Sequence, residues 1–186
     1  MEMSVAQVQG VFDRATLLHP KEEVEAAISK MARAITVKLH DQNPVVLCVM
    51  NGGLITTANL VTELEFPLQL DYLHASRYRG ETSGADLQWQ RVPQLSLEGR
   101  TVLIVDDIFD EGTTLESIVS HCNQAGAAQV FTAVLTDKLH SRKKTSLKVD
   151  FVGLAIADAY VFGYGLDYKG YLRNAAGIYA ISDRDY

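Results

Sequence analysis

Four carboxylates crowd into six residues at Asp106, Asp107, Asp110 and Glu111. Residues 101–105 ahead of them are apolar or β-branched, the pattern of a strand buried on both faces of a parallel sheet. Acids at the carboxyl end of such a strand are costly to desolvate unless a cation or a hydroxyl-rich group binds them. The turn that follows, Gly112-Thr113-Thr114, offers the opposite chemistry: free backbone N–H groups and two hydroxyls at the start of a helix, an anion site. N-cap duty by Asp110 or Thr113 would use one side chain and leave a surplus of acids. A sugar carrying a phosphate, together with a divalent metal, satisfies both halves of the segment.

A second loop of this kind follows the apolar run 45–50. Glycines in Asn51-Gly52-Gly53 allow backbone N–H groups to approach a phosphate closely. Alone, the pair is as well explained by a tight turn. Two such loops, each after an apolar strand, point to an extended anionic ligand, and neither is a Walker A loop. Lys138, just past the β-run 130–135, would by itself be a solvated strand end, but it reaches the same rim as the acids. Cys48 and Cys122 lack CxxC or metal-ligand spacing and read as buried structural thiols. The five histidines show no metal-ligand spacing and read as surface or loop residues. Arg142-Lys143-Lys144 reads as a solvated turn.

The elements that must position these residues alternate. Residues 21–39 form a helix: Val24, Ile28, Met31 and Ile35 share a face, Glu22 and Glu23 sit in the first turn, and Pro20 opens it. Strands are expected at 45–50, 68–75, 130–135 and 151–156, with helices at about 54–64 and 115–124. Residues 77–91 read as a mobile loop and a hairpin strand, and the last quarter as short irregular pieces. The class is therefore α/β: one domain, 1–186, with a mostly parallel central sheet flanked by helices. Ligands of such sheets sit at the carboxyl ends of the strands. A net charge of −6 argues against nonspecific nucleic-acid binding. No run approaches the roughly 18 apolar residues of a membrane span, and no leader pattern opens the chain. The expectation is a cytoplasmic protein with neither nucleic-acid nor membrane partners.

The run VLIVDDIFDEGTTL (102–115) resembles the 5-phosphoribosyl-1-diphosphate motif of the type I phosphoribosyltransferases. VDFVG (149–153) and YVFGYGLDY (160–168), with Arg173 six residues after Asp167, resemble the hypoxanthine-guanine members in particular. The similarity runs from about residue 45 to 181. It implies a small hood subdomain built from the terminal segments, about 1–20 and 155–186. It further implies that Asp106 and Asp107 face the ribose 2′ and 3′ hydroxyls and help hold Mg²⁺. Asp110 would lie beside purine N7 as general base or proton carrier while N9 attacks the anomeric carbon. Glu111, Gly112, Thr113 and Thr114 would cradle the 5′-phosphate. Asn51 and Gly52 would meet the diphosphate, in a loop that often holds a non-proline cis peptide, and Arg173 would grip the departing diphosphate. For the base, Lys138 would donate to O6, Tyr160 would stack, and the Val161 backbone would read the edge. Asp167 would take a second Mg²⁺ position or meet the 2-amino edge through its carbonyl. Ser76, Arg77 and Tyr78 match the base of a loop that closes over the site.

Three residues depart from the pattern. Glu111 stands where many relatives have Thr, so its side chain must turn away from the phosphate or pair with a base such as Arg77 or Lys169. Asn51 occupies a position that is often Lys, and Ala159 one that is commonly basic. The activity implied is Mg²⁺-dependent purine salvage: 5-phosphoribosyl transfer from phosphoribosyl diphosphate to N9 of hypoxanthine or guanine, giving IMP or GMP. A homodimer or homotetramer is the family expectation. Rival readings are a xanthine-preferring enzyme and a nucleotide-binding regulator of the same fold without turnover, which usually carries a basic surface that this chain's net charge does not suggest. A receiver or phosphatase-like domain would place its key Asp at the end of the first strand, where this chain has Asn-Gly-Gly.

Overall fold

The two most apolar runs of the chain lie side by side in the middle of a sheet. A computed structural model describes residues 3–77 and 87–186. In it, β2 (Val45–Met50) and β5 (Thr101–Phe109) are parallel neighbours, with Val45 opposite Val102 and Leu47 opposite Ile104. Both strands are buried on both faces. Val45, Leu47, Val102 and Ile104 pack with Leu115, Ile118 and Cys122 of α4 (Thr113–Gln124) on one side. Val46, Leu103 and Val105 pack with Ile28 and Ile35 of α2 (Lys21–Leu39) and Leu60 of α3 (Gly53–Val61) on the other. Burying each such side chain contributes about 1.5–3 kcal/mol before entropy is set against it.

The sheet has six strands in the order β4-β3-β2-β5-β6-β7, with β3 at Gln69–Arg77, β4 at Leu87–Arg91, β6 at Gln129–Leu139 and β7 at Phe151–Ala157. All neighbours are parallel except β4, which turns back along β3 at one edge. From β2 the chain moves outward to β3 and β4, then returns to build β5, β6 and β7 on the other side. The order reverses between β2 and β5, and the crevice above such a reversal is where open α/β sheets bind ligands.

The terminal segments form a second sheet of order β1-β9-β8, from β1 (Thr16–Pro20), β9 (Gly177–Ala180) and β8 (Val161–Phe162). Helix α1 (Val5–Arg14) covers it: Val11 and Phe12 pack on Phe162, Tyr168 and Tyr179, and Phe162 stacks on Tyr179 at 5.4 Å. Among the described residues, no helix is long and apolar enough to cross a membrane.

Several boundaries differ from expectation. β5 runs four residues beyond 105, so Asp106 and Asp107 lie within the strand, with Asp106 opposite Val134 of β6. β6 likewise extends to Leu139 and carries Lys138 inside it. Helix α3 stops at Val61 rather than about 64, and Pro20 is the N-cap residue of α2 rather than its first helical residue. The last quarter is more ordered than its composition suggests, because β8 and β9 pair with β1 from the other end of the chain.

Asp71 fastens the sheet edge. Its carboxylate accepts N–H bonds from Tyr72 (2.8 Å), Gln94 (2.6 Å) and Leu95 (2.9 Å). Burial pushes this carboxyl up, but the three donors and Arg91 outweigh that and hold it below its ordinary value of 3.8. Asp71→Ala is expected to destabilise the fold by about 1.5–3 kcal/mol at pH 7. Because the folded carboxyl titrates below the unfolded one, this contribution is full above the unfolded value and fades as pH falls through the folded one. Urea unfolding of both proteins at neutral and acid pH checks it; a gap that does not narrow in acid would refute the assignment.

Candidate active site

The carboxyl ends of β2 and β5 bring the two loops together. The Met50–Asn51 peptide is cis, Asn51 is exposed and α3 starts at Gly53. A Cβ on Gly52 would overlap the Asp107 carboxylate, so only glycine lets the β2 loop lie against β5 here. A Cβ on Gly165 would overlap the Gly52 carbonyl oxygen, so the segment that follows β8 lies against the same spot. Arg173 donates to the Gly165 carbonyl (2.6 Å) and pairs with Asp167 (2.7 Å). Asn51, Gly52, Asp107, Gly165 and Arg173 thus form one cluster, although 122 residues separate its ends. Gly52→Ala is expected to lower kcat/KM for a diphosphate-bearing substrate by at least about 100-fold with the melting temperature little changed, since misplacement by about 1 Å costs that much. Steady-state kinetics beside a thermal melt checks it; unchanged kinetics would mean that the loop carries no ligand.

Asp106 and Asp107 lie side by side near the end of β5, and among the described residues neither makes a direct salt bridge. The Asp107 N–H donates to the Asp106 carboxylate at 2.9 Å, and the Thr136 hydroxyl donates to the Asp107 carbonyl at 2.9 Å. Burial and then the neighbouring Asp107 push the Asp106 carboxyl well up; burial also raises Asp107, despite the opposing Arg173 charge. A nearby cation or hydroxyl donors would favour the ionised form of such a pair. No group of three or more potential metal-ligating side chains occurs among the described residues. Two carboxylates, with oxygens of a bound ligand and water, are donors of the kind Mg²⁺ takes. Asp167 is less free: Arg173 takes one oxygen, and the Gly170 N–H donates to the other at 2.6 Å.

Asp110 stands at the rim and is 39% exposed. Lys138 reaches its Oδ2 at 3.0 Å, and His140 Nε2 lies 2.6 Å from its Oδ1. Burial raises its carboxyl, but the hydrogen bonds from Lys138 and His140 and the Lys138 charge win and hold it below the ordinary range. Lys138 is itself only 8% exposed, so its ammonium is committed to the site rather than to solvent.

Past the acids, Gly112 caps α4 in the left-handed region (φ 86°) and offers no side-chain cap. The first-turn N–H groups beside Thr113 and Thr114 thus have no helical partner and are available to an anion. Tyr160 lies edge-on to Tyr168 (5.7 Å) and Tyr186 (6.3 Å), and buried Val161 follows it in β8. Ser76 and Arg77 end β3, opposite Gln88 and Leu87; Tyr78 lies outside the described residues.

Glu111 does meet a base, and the base is Lys144: its carboxylate accepts from the Lys144 ammonium (2.9 Å), and its carbonyl accepts the Lys144 N–H (2.9 Å). One expectation needs correction. The basic turn is not merely solvated, because Arg142 pairs with Asp158 and Lys143 with Asp137, with Lys143 also donating to the Phe109 carbonyl. His140 lies in the loop just past β6, yet its side chain is 4% exposed and holds Asp110. Strand alternation carried on past Leu139 would have found it, since residues 138 and 140 share a face.

The phosphoribosyl transferase domain model matches residues 15–169. The hypoxanthine-guanine-xanthine phosphoribosyltransferase of Tritrichomonas foetus is 29% identical over 174 residues, 94% of this chain and 95% of that protein. The hypoxanthine-guanine phosphoribosyltransferase of Bacillus subtilis is 32% identical over 163 residues, covering 87% and 90%. The crystal structure of a hypoxanthine phosphoribosyltransferase from Staphylococcus aureus superposes with a TM-score of 0.88 at 26% identity, covering 100% of this chain and 99% of that one. A reversal-point crevice that joins two glycine-held loops to a carboxylate pair thus comes with the matching sequence kinship, and the chain belongs to the phosphoribosyltransferase family, in its hypoxanthine-guanine branch.

Proposed function

We propose that this protein transfers the 5-phosphoribosyl group of 5-phospho-α-D-ribose 1-diphosphate to N9 of hypoxanthine or guanine, giving IMP or GMP and diphosphate. The observation that carries the reading is the Lys138–Asp110 pair, a donor and an acceptor side by side at 3.0 Å. A 6-oxopurine protonated at N7 presents the complementary edge, O6 as acceptor and N7–H as donor. A 6-amino group would instead point hydrogens at an ammonium, and sites built around one polarity reject the other strongly.

In the step proposed, the bond from C1′ to the diphosphate oxygen breaks with its electron pair leaving on diphosphate. N9 forms the new bond to C1′, and the N7 proton passes to Asp110. Asp106 and Asp107 accept from the ribose hydroxyls. These two carboxylates would also hold Mg²⁺, which when bound neutralises charge on the diphosphate. The α4 N-terminus at Gly112, Thr113 and Thr114 receives the 5′-phosphate. Asn51, Gly52 and Arg173 meet the diphosphate, for which Arg173 must exchange its bond to Asp167. Tyr160 stacks on the base beside the Val161 backbone. The main contributions to rate are positioning and charge stabilisation. Diphosphate release from the donor in the presence of Mg²⁺ and either base supports the assignment; no release with hypoxanthine, guanine or xanthine would end it.

A further inference from the structure

We propose that His140 is a positioning residue for this reaction: a neutral imidazole that grips one oxygen of Asp110 and leaves the other to the purine. The proposal rests on the reading that Asp110 takes the N7 proton. His140 follows directly on β6, with its side chain 4% exposed. Its two ring nitrogens have different partners. Nδ1 accepts the Arg142 N–H at 3.0 Å, while Nε2 faces Asp110 Oδ1 at 2.6 Å. A nitrogen that accepts from a backbone amide carries no proton, so the ring hydrogen is on Nε2 and is donated to Asp110. A second proton on Nδ1 would set two N–H groups against each other.

The surrounding turn maintains this arrangement. Arg142 is tied to Asp158 at 2.6 Å, and Lys143 donates to the Phe109 carbonyl at 2.9 Å, so the amide that fixes the ring is itself held on both sides. The charged groups facing the pair are Lys138 from β6, Arg142 from the turn and Asp158 from beyond β7. Only one Asp110 oxygen is held by a residue that the substrate needs. When a 6-oxopurine arrives, Lys138 turns to O6 and Oδ2 becomes free for N7–H. The bond from His140 to Oδ1 persists and keeps the carboxylate from rotating. It also helps to keep Asp110 ionised, adding to the effect of Lys138.

His140→Ala and His140→Gln separate this role from a structural one. In His140→Ala, kcat should fall about tenfold and the acid limb of the kcat/KM profile for hypoxanthine should move to higher pH. KM for the diphosphate donor should stay within about twofold. His140→Gln, which keeps an N–H at similar reach, should recover most of both effects. An unmoved acid limb, or a Gln variant as impaired as Ala at equal melting temperature, overturns the proposal. Long-range ¹H–¹⁵N spectra of the wild type, with the His140 ring identified by its loss in His140→Gln, test the contact without turnover. The Nε2–H neutral tautomer is expected at pH 7, and an Nδ1–H tautomer or an imidazolium overturns it. Absence of wild-type turnover would instead contradict the transfer reading itself.

Discussion

Asp110→Asn is expected to lower kcat for hypoxanthine and guanine by about 10²–10⁴-fold, the usual range for loss of a general base. Asparagine keeps the shape of the side chain, and its carbonyl oxygen can still accept from Lys138 or His140, 3.0 and 2.6 Å away in the native site. It cannot take the N7 proton. On the proposed function, IMP and GMP would make their ribose and phosphate contacts at Asp106, Asp107 and the α4 N-terminus, so their affinities should change by less than about tenfold, roughly the effect of one hydrogen bond. Pre-steady-state turnover together with calorimetric titration of nucleotide separates the two effects. A kcat within a few-fold of wild type would remove Asp110 from the chemistry, and a parallel collapse of nucleotide affinity would make it a binding residue instead.

The second large effect falls on its partner. Lys138→Met preserves the buried four-atom stem and removes the ammonium, so the packing around a residue 8% exposed in the native protein should survive. Loss of a charged donor to O6 is expected to cost about 2–3 kcal/mol, or roughly 10²-fold in kcat/KM for hypoxanthine. Discrimination against adenine should shrink by a similar factor, because the group that rejects a 6-amino substituent has gone. The pH profile supplies an independent sign. Lys138 contributes to holding the Asp110 carboxyl below its ordinary range, so the wild-type base stays ionised into acid, and removing Lys138 moves the acid limb upward. Unchanged discrimination between hypoxanthine and adenine in this variant would refute the O6 role.

What the sequence revealed, and what it hid, follows from the range of the interactions involved. β2 and α2 are both legible to the residue, since a continuous apolar run and a 3.6-residue period are local signals. The acidic segment is legible as a site for the same reason: its burden of charge is contained in six consecutive residues. β5 is underestimated because polar Asp106 and Asp107 end the apolar pattern while the ladder to β6 continues to Phe109. β1 is invisible locally; its partner β9 is about 160 residues away, and the stability of the pair comes from tertiary packing. Glu111 and His140 show the same limit at the level of side chains. Their partners, Lys144 and Asp110, are 33 and 30 residues away, and only the folding back of the turn after β6 brings them into contact. The glycine at position 52 suggests a turn in sequence, but the reason for it, an Asp107 carboxylate where a Cβ would lie, exists only in the assembled site.

The central claim, that the Lys138–Asp110 pair reads the O6 and N7 edge of a purine for phosphoribosyl transfer, is tested most directly in a single vessel. Wild-type protein, Mg²⁺ and limiting phosphoribosyl diphosphate are mixed with equal amounts of hypoxanthine, guanine, xanthine and adenine, and the nucleotides formed are separated and counted. IMP and GMP should accumulate, with AMP lower by at least about 10²-fold. AMP formed at a comparable rate, or no nucleotide at all, would contradict the account.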